Sequence, residues 1–232
     1  MSNLANFITF LSLICGFASV IFSLENHFTF ASWAILLSVI FDGLDGQVAK
    51  RKAVASEFGK ELDSLVDVVS FGIAPALLGY LFVYKEFYFW ATLTLFAYLI
   101  CSIARLAKYN ITPKEKMVHY FYGLPTTASG GILASFILIY RRYTQFPPPF
   151  IFLLLVLLVT VLMVSGIKYL NLEGFRRVFK KSAAPFLLAI LVALLVVFVF
   201  YFITTVFLPE LAIFTLFALY LIFSPLIIKK FV

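Results

Sequence analysis

ASWAILLSVIFDGLDGQVAKRKAVASEFGKELDSLVDVVSFGIAPALLGYLFV, residues Ala31–Val83, decides the fold. Two apolar runs flank a segment that carries six of the chain's eleven acidic residues. Neither run alternates with period two, so each reads as a helix rather than a barrel strand. The pattern is a helical hairpin in an apolar medium, with its acidic bend at one surface.

The rest of the chain places that medium. Its 232 residues are 63% hydrophobic and 12% charged, whereas a soluble domain is about half apolar and about a quarter charged. A bilayer core needs about 20 apolar residues per helix, and only helices or closed barrels satisfy their backbone there. Eight apolar spans are expected, near Ile8–Leu24, Phe28–Phe41, Phe58–Val83, Phe87–Ala107, Leu124–Tyr140, Phe150–Ile167, Pro185–Thr204 and Val206–Ile228. The fold class is therefore an all-α integral membrane bundle, a core of six helices plus two C-terminal helices at about 185–228. The chain reads as one transmembrane catalytic domain over 1–232. Its N-terminal run lacks a basic leader and is long enough to span, so no cleavable signal is expected.

Lys and Arg placement orients the bundle. With the N-terminus in the cytoplasm, fifteen basic residues fall on that side, and Lys85, Arg141 and Arg142 on the other. The net charge of +7 is then a collar against anionic headgroups and needs no nucleic acid. Cys15 and Cys101 lie inside apolar runs and read as small buried hydrophobes.

The chemistry gathers at the acidic bend. A carboxylate deep in a membrane helix costs about 2.5–3.5 kcal/mol on insertion scales. Asp42 and Asp45 are three apart, and Asp63 and Asp67 four apart, so each pair shares a helix face. The helices are antiparallel, and the two faces converge. Four carboxylates at close range need cations. Hard oxygen donors with no His or Cys nearby suit Mg²⁺, Mn²⁺ or Ca²⁺. Gly46, Ala49 and Gly59 leave room for a bulky ligand, and Lys50, Arg51 and Ser56 add charge and a hydroxyl. That set suits a diphosphate substrate. Solubilising charges at helix ends would show no common spacing. Glu57, Lys60 and Glu61, off the shared face, fit that blander description.

Asp42-x2-Asp45-Gly46-x2-Ala49, followed by Gly59-x3-Asp63-x3-Asp67, resembles the signature of the CDP-alcohol phosphotransferases, D-x2-D-G-x2-A-R-x8-G-x3-D-x3-D. The Arg position holds Lys50, followed by Arg51, which keeps the charge without the bidentate fork. SFGIAP (Ser70–Pro75), SIARLAKYN (Ser102–Asn110), YGLPTTA (Tyr122–Ala128) and LMVSGIKY (Leu162–Tyr169) look like the phosphatidylserine-synthesising branch. NFITFLSLICG (Asn6–Gly16) looks like the family's first helix, with Ser12 where Asn is usual.

The resemblance implies transfer of the phosphatidyl group of CDP-diacylglycerol to L-serine, with release of CMP. It implies two divalent ions, Mg²⁺ or Mn²⁺, on Asp42, Asp45, Asp63 and Asp67, with Asp67 also the base. It implies donor contacts at Asn6, Thr9, Gly46, Ala49, Lys50, Ser56 and Gly59, a homodimer, and residence in the cytoplasmic membrane with the site on the cytoplasmic side. Ser70 and Arg105 are candidates for the acceptor or the lipid phosphate, Ser70 being equally readable as a helix-packing serine and Arg105 as a topology anchor. Alternatives are another acceptor (inositol phosphate or glycerol phosphate), an archaeal ether-lipid donor and, in a different class, a cation transporter. Aspartates at one face rather than the midplane disfavour the transporter.

Overall fold

The computed structural model describes residues 2–52, 57–112, 120–143, 148–171 and 209–231. Its elements are α1 (Ser2–Leu24), α2 (Phe28–Lys52), α3 (Glu57–Asp67), a π-helical turn (Val68–Ile73), α4 (Ala74–Ile111), β1 (Tyr120–Tyr122), α5 (Thr126–Arg142), α6 (Pro149–Val164), β2 (Lys168–Leu170) and α7 (Pro209–Phe231). Four described stretches are long and apolar enough to cross a membrane: Leu4–Leu24, Phe28–Val48, Glu57–Ile111 and Glu210–Ile228. The molecule is an all-α integral membrane protein. The expected span Pro185–Thr204 lies outside the described residues.

Glu57–Ile111 is 55 residues long, and a straight helix at about 1.5 Å per residue would far exceed a bilayer core of about 30 Å. The chain instead breaks at Phe87 (φ −134°, ψ 48°) and doubles back. Gly79 packs against Leu95, and Gly72 against Ser102, partners that step outward on either side of Phe87. The two runs expected at Phe58–Val83 and Phe87–Ala107 are the arms of this hairpin. At the other short reversal, between α1 and α2, Asn26 takes the left-handed conformation (φ 61°) that Asn tolerates at a helix end.

The π-helical turn directly after Asp67 has a local cause. Pro75 lacks an N–H, so the carbonyl four residues earlier, that of Phe71, has no helical donor. The N–H of Ala74 reaches Val69 instead, one residue further back than in an α-helix. The orphaned Phe71 carbonyl accepts the Tyr98 hydroxyl at 2.7 Å, and Tyr98 is fully buried. The far arm of the hairpin thus stabilises the irregular turn that sets the direction in which α3 leaves it.

α5 occupies the middle of the bundle. Its residues Ala128–Ile139 are buried, enclosed by α2, α4, α6 and α7. Small residues allow this close approach. Gly130 lies against Phe71 and Pro75, and a Cβ on Gly131 would stand 2.2 Å from the Phe217 ring of α7. Ser12, Ser38 and Ser70 knot α1, α2 and the π turn: the Ser12 and Ser38 hydroxyls lie 2.7 Å apart, and Ser70 donates to the Ser12 carbonyl at 3.2 Å.

A short strand pair was not foreseen in the sequence. β1 and β2 pair antiparallel, Phe121 opposite Tyr169. Gly123 turns the chain from β1 into α5 at φ 76°, where a Cβ would stand 2.2 Å from the Met163 carbonyl. Its N–H donates to the Ile167 carbonyl at 2.7 Å. α7 holds the pair from behind: the Leu170 N–H donates to the Ser224 hydroxyl, and the Tyr220 hydroxyl donates to the Leu170 carbonyl at 3.2 Å.

Tyr98→Phe removes the side-chain donor to the Phe71 carbonyl, and its expected penalty is about 1 kcal/mol. Heat denaturation in detergent will show a lower midpoint. The same change in a Pro75→Ala background, where residue 75 regains its N–H, will lower the midpoint less. Equal losses in both backgrounds would show that the Tyr98 bond does not compensate for Pro75.

Candidate metal and substrate site

The four aspartates come from two helices, as their spacing requires. α2 carries Asp42 and Asp45 in its last turns, α3 carries Asp63 and Asp67, and the two acidic faces meet. Carboxylate oxygens of Asp42, Asp63 and Asp67 all lie within 4.8 Å of one another. Asp45 is 5% exposed and is held apart from these three by a 2.8 Å hydrogen bond from the Thr9 hydroxyl of α1. It still faces the same opening, a cavity of about 300 Å³ shared by Asp42, Asp45, Asp63, Asp67 and Arg105.

Like charges this close, partly withdrawn from water, repel strongly unless a cation lies among them. The donor set fits a hard divalent cation: several carboxylate oxygens within one ion's reach, and no sulfur or imidazole among the described residues of the cavity wall.

The cavity wall points the same way. Gly43 and Gly46 both line it, and a Cβ built on either meets nothing within 4 Å. Packing within the protein therefore does not require glycine there. A glycine within a helix is destabilising by roughly 0.5–1 kcal/mol relative to Ala. What these two provide is clear space on the pocket side for a ligand to meet backbone.

The other residues expected in the site fall into distinct places. Asn6 sits three residues before Thr9 on the same face of α1 and is half-buried. Gly59 lies one turn before Asp63 in α3 and is half-buried. Ala49 and Lys50 belong to the end of α2. Ser56 lies outside the described residues. Ser70, readable from the sequence either as an acceptor contact or as a helix-packing serine, takes the packing place: it is fully buried, donates to Ser12, presses on Gly16 and does not line the cavity. The π turn explains the shift, since residues after Asp67 no longer continue the α-helical face on which Ser70 would have followed it.

Arg105 is brought to the cavity. It is 8% exposed and close enough to Asp67 and Tyr109 to interact electrostatically with both. Its Nη1 donates to the Thr126 hydroxyl at 3.3 Å, and its Nε has no hydrogen-bond partner. Tyr109, Phe121, Thr126 and Thr127 complete this side. The sequence segments Ser102–Asn110 and Tyr122–Ala128 contain Tyr109, Thr126 and Thr127, and Phe121 lies just before the second; none stands out, because each is an ordinary helix-end or turn residue until β1, Gly123 and α5 bring it to the acidic face.

The chain has two kinds of named relative. Residues 2–165 match the family model described as CDP-alcohol phosphatidyltransferase. The chain is 34% identical over 170 residues to a CDP-diacylglycerol–serine O-phosphatidyltransferase of Helicobacter pylori, covering 72% of each protein. It is 36% identical over 168 residues to the enzyme of that name from Methanocaldococcus jannaschii, covering 72% of this chain and 73% of the other. It is 34% identical over 174 residues to an archaetidylserine synthase of Methanothermobacter thermautotrophicus, covering 74% and 71%.

Mn²⁺ titration followed by electron paramagnetic resonance tests the cluster. Asp63→Asn is expected to weaken binding at least tenfold. Glu57→Gln and Glu61→Gln, on the exposed side of α3, are expected to leave it unchanged. Equal weakening by all three would mean general surface charge rather than a built site.

Proposed function

This chain belongs to the CDP-alcohol phosphatidyltransferase family, and we propose that it transfers the phosphatidyl group of CDP-diacylglycerol to the hydroxyl of L-serine, yielding phosphatidylserine and CMP. The observation that carries this reading is the convergence of the four signature aspartates on one cavity at the end of membrane helices. Its serine-transferring relatives, matched over roughly two thirds or more of both chains, supply the acceptor. Their names agree on serine and differ in the lipid, diacylglycerol in one group and archaetidyl in the other. Serine is therefore the constant part of the reading, and the lipid tails are its variable part.

In this mechanism Asp42, Asp45, Asp63 and Asp67 hold two Mg²⁺ or Mn²⁺ ions. When bound, these ions neutralise charge on the diphosphate and on departing CMP. Asn6, Thr9, Gly46, Ala49, Lys50, Ser56 and Gly59 form the donor side, Thr9 also orienting Asp45 through its hydroxyl. Asp67 takes the proton from the serine hydroxyl, which is too weak a nucleophile unaided. The serine oxygen forms a bond to the lipid-side phosphorus, the bond from that phosphorus to the bridging oxygen breaks, and CMP leaves with that oxygen. The hydrophobic bundle lets the lipid enter sideways from the membrane. The Lys and Arg distribution supports a cytoplasmic side for this face, where soluble serine is available. The homodimer and the cytoplasmic membrane belong to the same reading; the outer face of α1, where Phe7, Phe10, Ile14 and Phe17 are exposed, suits lipid or a second copy.

Purified protein given CDP-diacylglycerol, Mn²⁺ and serine is expected to release CMP and phosphatidylserine in equal amounts, detected by mass spectrometry. Chelation of the metal will stop both. Asp67→Asn will slow the reaction by about 10²–10⁴-fold, the usual contribution of a general base. CMP release that ignores serine, or full activity in Asp67→Asn, would refute the mechanism.

A further inference from the structure

From the placement of Arg105 we infer that its guanidinium receives the carboxylate of the acceptor serine and so makes the site select an amino acid over a plain alcohol. This rests on the serine-transfer reading and deepens it.

Arg105 offers five N–H donors. One is used weakly, on the neutral Thr126 hydroxyl at 3.3 Å, and Nε has no partner. A buried cation so poorly matched is costly unless something completes it. The nearby aspartates do not complete it: Asp45 is bound to Thr9, and Asp42, Asp63 and Asp67 face one another. Tyr109 covers one side, with its ring centroid 6.0 Å from the guanidinium carbon. The open donors fit a planar anion, which the guanidinium fork binds in two-point fashion.

Two observations make that anion a carboxylate on the acceptor rather than a phosphate on the donor. The first is position. The donor side lies toward α1, where Thr9 meets Asp45, whereas Arg105 lies beside Asp67, the base in the proposed mechanism. In serine the carboxylate is two carbons from the hydroxyl oxygen, so its partner must neighbour the base. The second is size. Arg105 stands between the acidic cavity and a second cavity of about 110 Å³ shared with Lys108, Tyr109, Thr112 and Tyr122. That space takes a small polar molecule and excludes a lipid phosphate with its glycerol and tails.

Serinol (2-amino-1,3-propanediol) is the probe, since it keeps the amine and hydroxyl of serine and lacks the carboxylate. Initial rates with each acceptor give two kcat/KM values, and the rate against CDP-diacylglycerol gives the donor KM. Arg105→Gln is expected to lower kcat/KM for serine by roughly 100-fold or more, to lower that for serinol far less, and to leave the donor KM near its original value. Arg105→Lys keeps the charge without the fork and will lower the serine-to-serinol ratio by about tenfold. Unaltered Mn²⁺ binding will report that the fold is intact; should Arg105→Gln lose it, the ratio in Arg105→Lys decides. Parallel losses for both acceptors, an unchanged ratio, or a raised donor KM would overturn the inference. If the unaltered protein makes no phosphatidylserine at all, the serine-transfer reading itself fails, and the two failures are distinct.

Discussion

Mutual repulsion of carboxylates at the end of membrane helices is the constraint on which the other features depend. Asp42, Asp63 and Asp67 bring oxygens within 4.8 Å of one another, each partly withdrawn from water. The surroundings answer this in complementary ways. Thr9 takes Asp45 aside by a hydrogen bond from α1. Arg105 brings a buried positive charge beside Asp67. Gly43 and Gly46 keep the wall open for an incoming ligand. None of these devices neutralises four charges, and a hard divalent cation among the carboxylates would.

Rigidity comes from the irregular part of the scaffold. The π turn lies directly after Asp67 and exists because Pro75 removes a donor from the helix. Tyr98 returns a donor from the opposite arm. The serine knot at Ser12, Ser38 and Ser70 then fixes α1 and α2 to that turn. Every aspartate is thus tied, directly or within a turn or two, to a neighbour it does not share a helix with. The Ser12 hydroxyl closes the knot.

The family-matched region ends near residue 165, yet the support of the site extends beyond it. β2 follows that region and pairs with β1, and α7 holds β2 through Ser224 and Tyr220. β1 leads through Gly123 to Thr126, the partner of Arg105. The C-terminal helix therefore supports the acceptor side of the cavity at second hand. It also packs on α5 through Phe217 and Gly131.

Much of this was legible in the chain itself. Hydropathy determined the membrane helices, because no other structure satisfies a backbone in hydrocarbon. Helical periodicity placed Asp42 with Asp45 and Asp63 with Asp67, because residues three or four apart share a face whatever surrounds them. The break at Phe87 was visible as the gap between two apolar runs. What depended on distant segments was not visible. The π turn that withdraws Ser70, the pairing of Tyr120–Tyr122 with Lys168–Leu170, and the meeting of Arg105 with Thr126 all join residues with no local signal for one another. Periodicity carries information over a few turns of one helix. The acceptor side is assembled from α4, α5 and two strands, and only their packing decides which side chains face the acid.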